Sequence, residues 1–169
     1  MKFIHKLMAV GAMAASVILP AEANQGSYRN DNNPYFQAHV ELARTIERTG
    51  VDFQLNPPEC GDEPNTYGWY YSAGKQLVVC QVNAKTYNWG EYPWTSEDLD
   101  TLRHEAHHLV QDCAVDGSLN GRLHALYERP DEVIKNELEP RYIMQIVEAY
   151  KDTGDYHTFM ELEAFAVAS

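Results

Sequence analysis

The sequence predicts an α+β fold, with a small β-sheet or hairpin packed against a central helix and further helices toward the C-terminus. Three observations predict it. Residues 67–71 and 76–82 are rich in aromatic and β-branched residues and flank Ser72-Ala73-Gly74-Lys75, the pattern of a hairpin. Thr95-Ser96-Glu97-Asp98 then supplies a helix cap with carboxylates in the first turn, ahead of an apolar stripe. Beyond it, residues 139–150 and 156–168 carry apolar residues at helical spacing. Strands followed by a run of helices are the signature of an α+β arrangement.

Residues 1–23 read as a secretory signal peptide. Lys2 and Lys6 precede an uncharged apolar stretch, residues 7–19, and Ala21-Glu22-Ala23 is a small-x-small cleavage pattern. The expectation is a secreted or periplasmic protein, cleaved after Ala23, with no membrane association once the leader is gone. The remainder, residues 24–169, suits one domain with a single hydrophobic core. The polar, glycine-containing residues 24–33 predict a loose start.

From residue 34 to 49, Phe36, Val40, Ala43 and Ile46 recur at helical spacing, and Gly50 ends the helix. Residues 51–55 alternate as a short strand would, stopped by Pro57-Pro58. The hairpin follows, then an aromatic loop over 87–94 containing Gly90 and Pro93. The capped helix is expected from Ser96 to Cys113, with Leu99, Leu102, Ala106, Leu109 and Cys113 as its core stripe. A turn-rich exit spans 116–121, and residues 123–134 read equally as helix or loop.

The chain carries 13 basic and 25 acidic residues, a net charge of −12. Such a surface repels phosphate backbones and anionic lipid, which argues against nucleic acid or a membrane surface as partner. A neutral or basic polypeptide fits better, and the protein is expected to be a monomer. Three cysteines in an exported chain suggest one disulfide and one leftover thiol. Three pairings are open; Cys60 with Cys80 is favoured because the two flank the hairpin.

Chemistry concentrates in His104-Glu105-Ala106-His107-His108, an HExxH motif within the capped helix. At about 100° per residue, a four-residue spacing puts both outer rings on one helix face, one turn apart, where their nitrogens can converge on one ion. Glu105 projects beside that point, as a general base taking a proton from a metal-bound water. Zinc is the expected ion, since imidazole suits it and hydrolysis needs a Lewis acid without redox chemistry. His107 lies off this face and is assigned to the surface or to supporting a ligand.

A catalytic site needs a third protein ligand. The metzincin continuation requires glycine and histidine where Gln111 and Ala114 stand, which excludes that branch. Downstream, Glu163 among Ala164, Phe165 and Ala166 is the chosen third ligand, with Glu161 as fallback. Tyr156, His157 and His124 are candidates for stabilising an oxyanion.

Glu59-Cys60-Gly61, Asn65, Tyr70-Tyr71, residues 77–80 and the run 101–113 together resemble small secreted or phage-type metallopeptidases of the minimal gluzincin group. The Cys-Gln, HExxH and Asp-Cys elements are also similar to mitochondrial intermembrane-space metallopeptidases. The resemblance covers roughly residues 59–113, with an echo at Glu163-Ala164-Phe165-Ala166. It implies a zincin core in which a small sheet packs beside the HExxH helix and a second helix brings a glutamate. It also implies that residues 76–82 form an edge strand that pairs with an extended substrate. The interval from His108 to Glu163 is longer than the compact gluzincins have. The rival readings are a silent module that binds zinc or peptide, and a structural cell-envelope or virion protein.

Overall fold

The computed structural model describes residues 34–62, 65–82, 84 and 92–168. The leader at 1–23, the residues 24–33 and most of the aromatic loop at 87–94 lie outside them. Helix α1 spans Pro34–Arg48, and Gly50 follows at φ 81°, a left-handed position that glycine takes without steric cost. Strand β1 is Asp52–Leu55, and a single turn, α2, at Glu59–Asp62 carries Cys60. The hairpin is β2, Gly68–Tyr71, and β3, Gln76–Val79, closed where the Lys75 N–H donates to the Ser72 carbonyl at 3.0 Å. Helix α3 runs Ser96–Cys113, followed by α4 at Pro130–Glu137, α5 at Pro140–Tyr150 and α6 at Asp155–Ala168. The fold is α+β, as expected, and the stretch that read equally as helix or loop is irregular up to Arg129 and turns helical at Pro130.

The three strands lie in the order β1-β3-β2, with β1 parallel and β2 antiparallel to β3. Strand β3 is therefore central, which corrects the expectation of an edge strand at 76–82. Both its neighbours occupy its backbone hydrogen-bonding groups. The physical sign is the unbroken run Leu77-Val78-Val79, each fully buried: a strand covered on both faces does not alternate. Leu77 and Val79 face the larger core, with Phe53, Tyr70, Leu102 and Leu109. Val78 faces the opposite side, with Cys80 and Cys60. Cys60 and Cys80 form a disulfide and Cys113 is a free thiol, the favoured pairing.

Asp112 ties hairpin to helix. The Tyr70 hydroxyl donates to its Oδ2 at 2.8 Å, as does the Ser72 hydroxyl, while the Asn120 and Gly121 N–H groups donate to Oδ1 at 3.0 and 2.7 Å. A second core joins α4, α5 and α6 through Ile134, Leu138, Ile146, Tyr150, Leu162 and Ala166. Helix α6 thus packs on α3 and also on α4 and α5.

Candidate metal centre

Helix α3 starts where its own residues stop the preceding chain. The Thr95 hydroxyl accepts from the Asp98 N–H at 3.1 Å, and Asp98 Oδ2 accepts in return from the Thr95 N–H at 2.9 Å, a capping box. Asp98 Oδ1 also accepts from the Val82 N–H at 2.8 Å, which fixes the helix start against the end of the hairpin. Two turns on, the His104 and His108 rings meet edge to face, centroids 4.7 Å apart, and their Nε2 atoms stand 3.1 Å from each other.

The third side chain at this point is Glu161 of α6. Its Oε2 lies 3.1 Å from His104 Nε2 and its Oε1 3.4 Å from His108 Nε2. His104, His108 and Glu161 form a buried group that could hold a metal ion, with ligand atoms all within 4.8 Å of one another. The fit can be tested on these separations. Tetrahedral ligands bound at about 2.05 Å lie about 3.3 Å apart along each edge; the two Nε2 atoms are 3.1 Å apart, and each meets a different oxygen of Glu161, at 3.1 and 3.4 Å, so the carboxylate spans the pair. Two imidazole nitrogens facing each other need a proton or a cation between them, because two lone pairs at that distance repel.

The electrostatics favour a single positive charge here. Burial works to lower His108, yet the Glu161 carboxylate, then Glu105 and Gln111, bring it up to about 9. His104 goes the other way: burial, with the charge of His108 behind it, holds it below its ordinary value against the pull of Glu161. Burial would raise Glu161, but the charges and hydrogen bonds of His108 and His104 keep it below the usual carboxylate range. Of the two rings, His108 is the one favoured to carry the extra proton, and the carboxylate that stabilises that charge would equally stabilise a cation.

Glu105 lies beside this group, buried, with no hydrogen-bond partner for its Oε2 among the described residues. Burial pushes its carboxyl up to about 8; the charge of His108 and the backbone N–H of Tyr70 act in the opposite direction. Strand β2 comes this near because of Gly68, where a Cβ would stand 2.7 Å from Thr101 Cγ2 and 3.1 Å from Glu105 Cγ. Tyr150 of α5 is buried against the same carboxylates. Burial first, then the charges of Glu161 and Glu105, hold its phenol far above the ordinary value.

Glu163, the carboxylate expected to complete the histidine pair, does not join it. Its Oε1 accepts from the Leu126 and Tyr127 N–H groups at 2.9 and 3.3 Å, and its Oε2 from Gln111 Nε2 at 2.7 Å, with His107 Nε2 at 3.2 Å. Two residues along a helix is a rotation of about 200°, so Glu161 and Glu163 flank different parts of α3. The fallback, Glu161, is the carboxylate at the two rings. His107 is not at the surface but buried on Glu163. Tyr156 is 57 % exposed and donates its hydroxyl to the Leu123 carbonyl; neither it, His157 nor His124 is part of the group.

Sequence reasoning missed Gln111 and Tyr150. Gln111 was legible in principle, since positions 104, 108 and 111 share one helical face, and a glutamine there must find partners. Tyr150 carries no such signal: only the packing of α5 on α6 brings it to Glu161.

Residues 30–150 match the model of a protein family described as a domain of unknown function, DUF8637. The chain belongs to that family. The match takes in the HExxH helix and Tyr150 and ends ahead of α6, which carries Glu161 and Glu163. No curated protein matches the chain, and no solved structure does.

Proposed function

We propose that this chain is an exported zinc-dependent peptidase, zincin-like in arrangement, with His104, His108 and Glu161 as ligands and Glu105 as general base. The observation that carries the reading is the convergence of the two Nε2 atoms and the Glu161 carboxylate in one buried group, with a second buried carboxylate of unfilled hydrogen-bonding capacity beside them. Two imidazoles and one carboxylate are a ligand set suited to zinc. Zinc bound there would supply a Lewis acid that polarises a peptide carbonyl and acidifies water.

The remaining work falls to the chain. Glu105 takes the proton of the attacking water and passes it to the leaving amine, a role that suits a buried carboxylate beside the ligand group. The Tyr70 N–H steadies that carboxylate from β2. Since β3 is central, the strand with an outer edge next to Glu105 is β2, and an extended polypeptide pairs there by strand addition. The leader pattern and the Cys60–Cys80 disulfide support export. The acidic surface supports a neutral or basic polypeptide substrate.

One observation favours a second reading, a zinc-binding module without turnover. His104, Glu105, His108 and Glu161 are each at most 2 % exposed, and turnover requires a substrate to reach an ion held among them. Glu105→Gln separates the two. Both proteins should purify with equimolar zinc, while hydrolysis of an unfolded fluorescent polypeptide should fall by about 10²–10⁴-fold in the variant. Zinc in the wild type with no hydrolysis would select the silent module. Absence of zinc in both would remove the metal from either reading.

A further inference from the structure

Glu163 is fully buried, is not part of the metal group, and accepts hydrogen bonds from three N–H donors in addition to its contact with His107. A carboxylate so placed has a task elsewhere. Gln111 shows what it is. Its Nε2 faces the Met160 carbonyl at 3.2 Å and Glu163 Oε2 at 2.7 Å, and its Oε1 faces His108 Nδ1 at 2.8 Å. Neither a carbonyl nor a carboxylate can donate, so the amide NH₂ must point at them. The amide oxygen is thereby left for His108. Turning the amide over would set its oxygen against two acceptors in a buried place, at the cost of both hydrogen bonds. His108 must then donate from Nδ1, which leaves Nε2, facing His104 and Glu161, as the nitrogen that can give up its proton to an ion.

We propose that Glu163 and Gln111 form a relay of positioning residues that fixes which nitrogen of His108 faces the ion. The proposal rests on the metal reading above and deepens it. The relay also has an anchor: Glu163 Oε1 holds the Leu126 and Tyr127 N–H groups, and the Gln111 carbonyl accepts from the His124 N–H at 3.0 Å. The segment between α3 and α4 and the orientation of His108 are thus set by the same two residues. Partners that orient a metal-binding histidine in this way carry about 10–100-fold of metal affinity.

The test uses the full mature chain, with zinc itself as probe. Affinity is measured by competition with a chromophoric chelator, and the His108 ring is followed by long-range ¹H–¹⁵N correlation. Gln111→Leu keeps the size of the side chain but cannot accept from Nδ1, and should bind zinc about 10–100-fold more weakly and lose the hydrogen-bonded Nδ1–H signal. Gln111→Glu should also weaken binding, because two carboxylates then meet. The double variant Gln111→Glu/Glu163→Gln keeps the acceptor for His108 that Gln111→Glu already has and restores a donor between the two positions, and should recover the affinity. A purely structural role would lower the melting temperature of the chelator-treated protein without moving the signal. The relay is overturned if folded Gln111→Leu binds zinc as the wild type does, or if the double variant is no better than Gln111→Glu. Should Gln111→Leu not fold, the single and double carboxylate variants decide. If the wild type takes up no zinc, the metal reading fails, and the relay stands or falls on the Nδ1–H signal of the metal-free protein.

Discussion

Helices α3 and α6 contribute the two halves of the group that could hold a metal ion, but they present their polar residues in different ways. In α3, the pair His104 and His108 is set by the helix itself: a four-residue spacing fixes their relation once the capping box at Thr95 and Asp98 has started the helix. In α6 nothing internal distinguishes Glu161 from Glu163. Both are buried, both touch α3, and the rotation of α6 about its own axis decides which one meets the rings. That rotation comes from the packing of α6 on α4 and α5 through Leu162 and Ala166. Ligands within one helix follow from local geometry, whereas a ligand from a second helix follows from the core behind it.

The largest expected effect tests this contrast directly. Glu161→Ala should abolish equimolar zinc binding, measured by atomic absorption after dialysis. Glu163→Ala, by contrast, should keep the ion with an affinity reduced by about 10–100-fold. If the two results were reversed, the roles assigned to the carboxylates would change places and the rotation of α6 would be wrong.

The same contrast governs how much was legible in the sequence. Helix α3 is found at its expected limits because cap, first-turn carboxylates and stripe all agree. Helix α1 matches for a similar reason, with Ile46 buried in the core and Gly50 past its end. The resemblance implies an edge position for strand β3, whereas its own unbroken apolar run fits the central position it occupies. Helix α4 is only 8 residues long and rests on Ile134 packing in the second core, so its periodicity is too brief to read alone. Apolar neighbours single out Glu163 in the sequence, but Glu161 is just as buried, flanked by Met160 and Leu162. Burial of a carboxylate is visible in a pattern; its direction is not.

A smaller effect sharpens the comparison through pH. His108 of α3 is raised from 6.5 to about 9 against the effect of burial, with the charge of Glu161 of α6 the largest opposing cause. A pKa raised on folding stabilises the metal-free protein fully below the unfolded value, and that stability is lost as pH rises through about 9. Metal binding displaces the same proton, so apparent zinc affinity should weaken by up to about tenfold for each unit below about pH 9. Chelator competition across that range, with melting curves of the metal-free protein, checks both signs. In Glu161→Gln the high titration should disappear, since its source lies on the other helix. An affinity independent of pH would show that His108 carries no proton to displace.

The smallest effect isolates what α3 does alone. Thr95→Ala removes the hydroxyl that accepts from the Asp98 N–H and should cost about 1 kcal/mol in urea unfolding, while Thr95→Ser should cost little. Zinc affinity should not change, because His104 and His108 lie two turns beyond the cap and their spacing belongs to the helix interior. Asp98 retains its hydrogen bonds from the Thr95 and Val82 N–H groups in the variant, so the helix start stays joined to the hairpin. A parallel loss of affinity would mean that the cap sets the position of the rings relative to Glu161. The histidine pair would then depend on where α3 begins as well as on its spacing, and α3 would be governed by its surroundings much as α6 is.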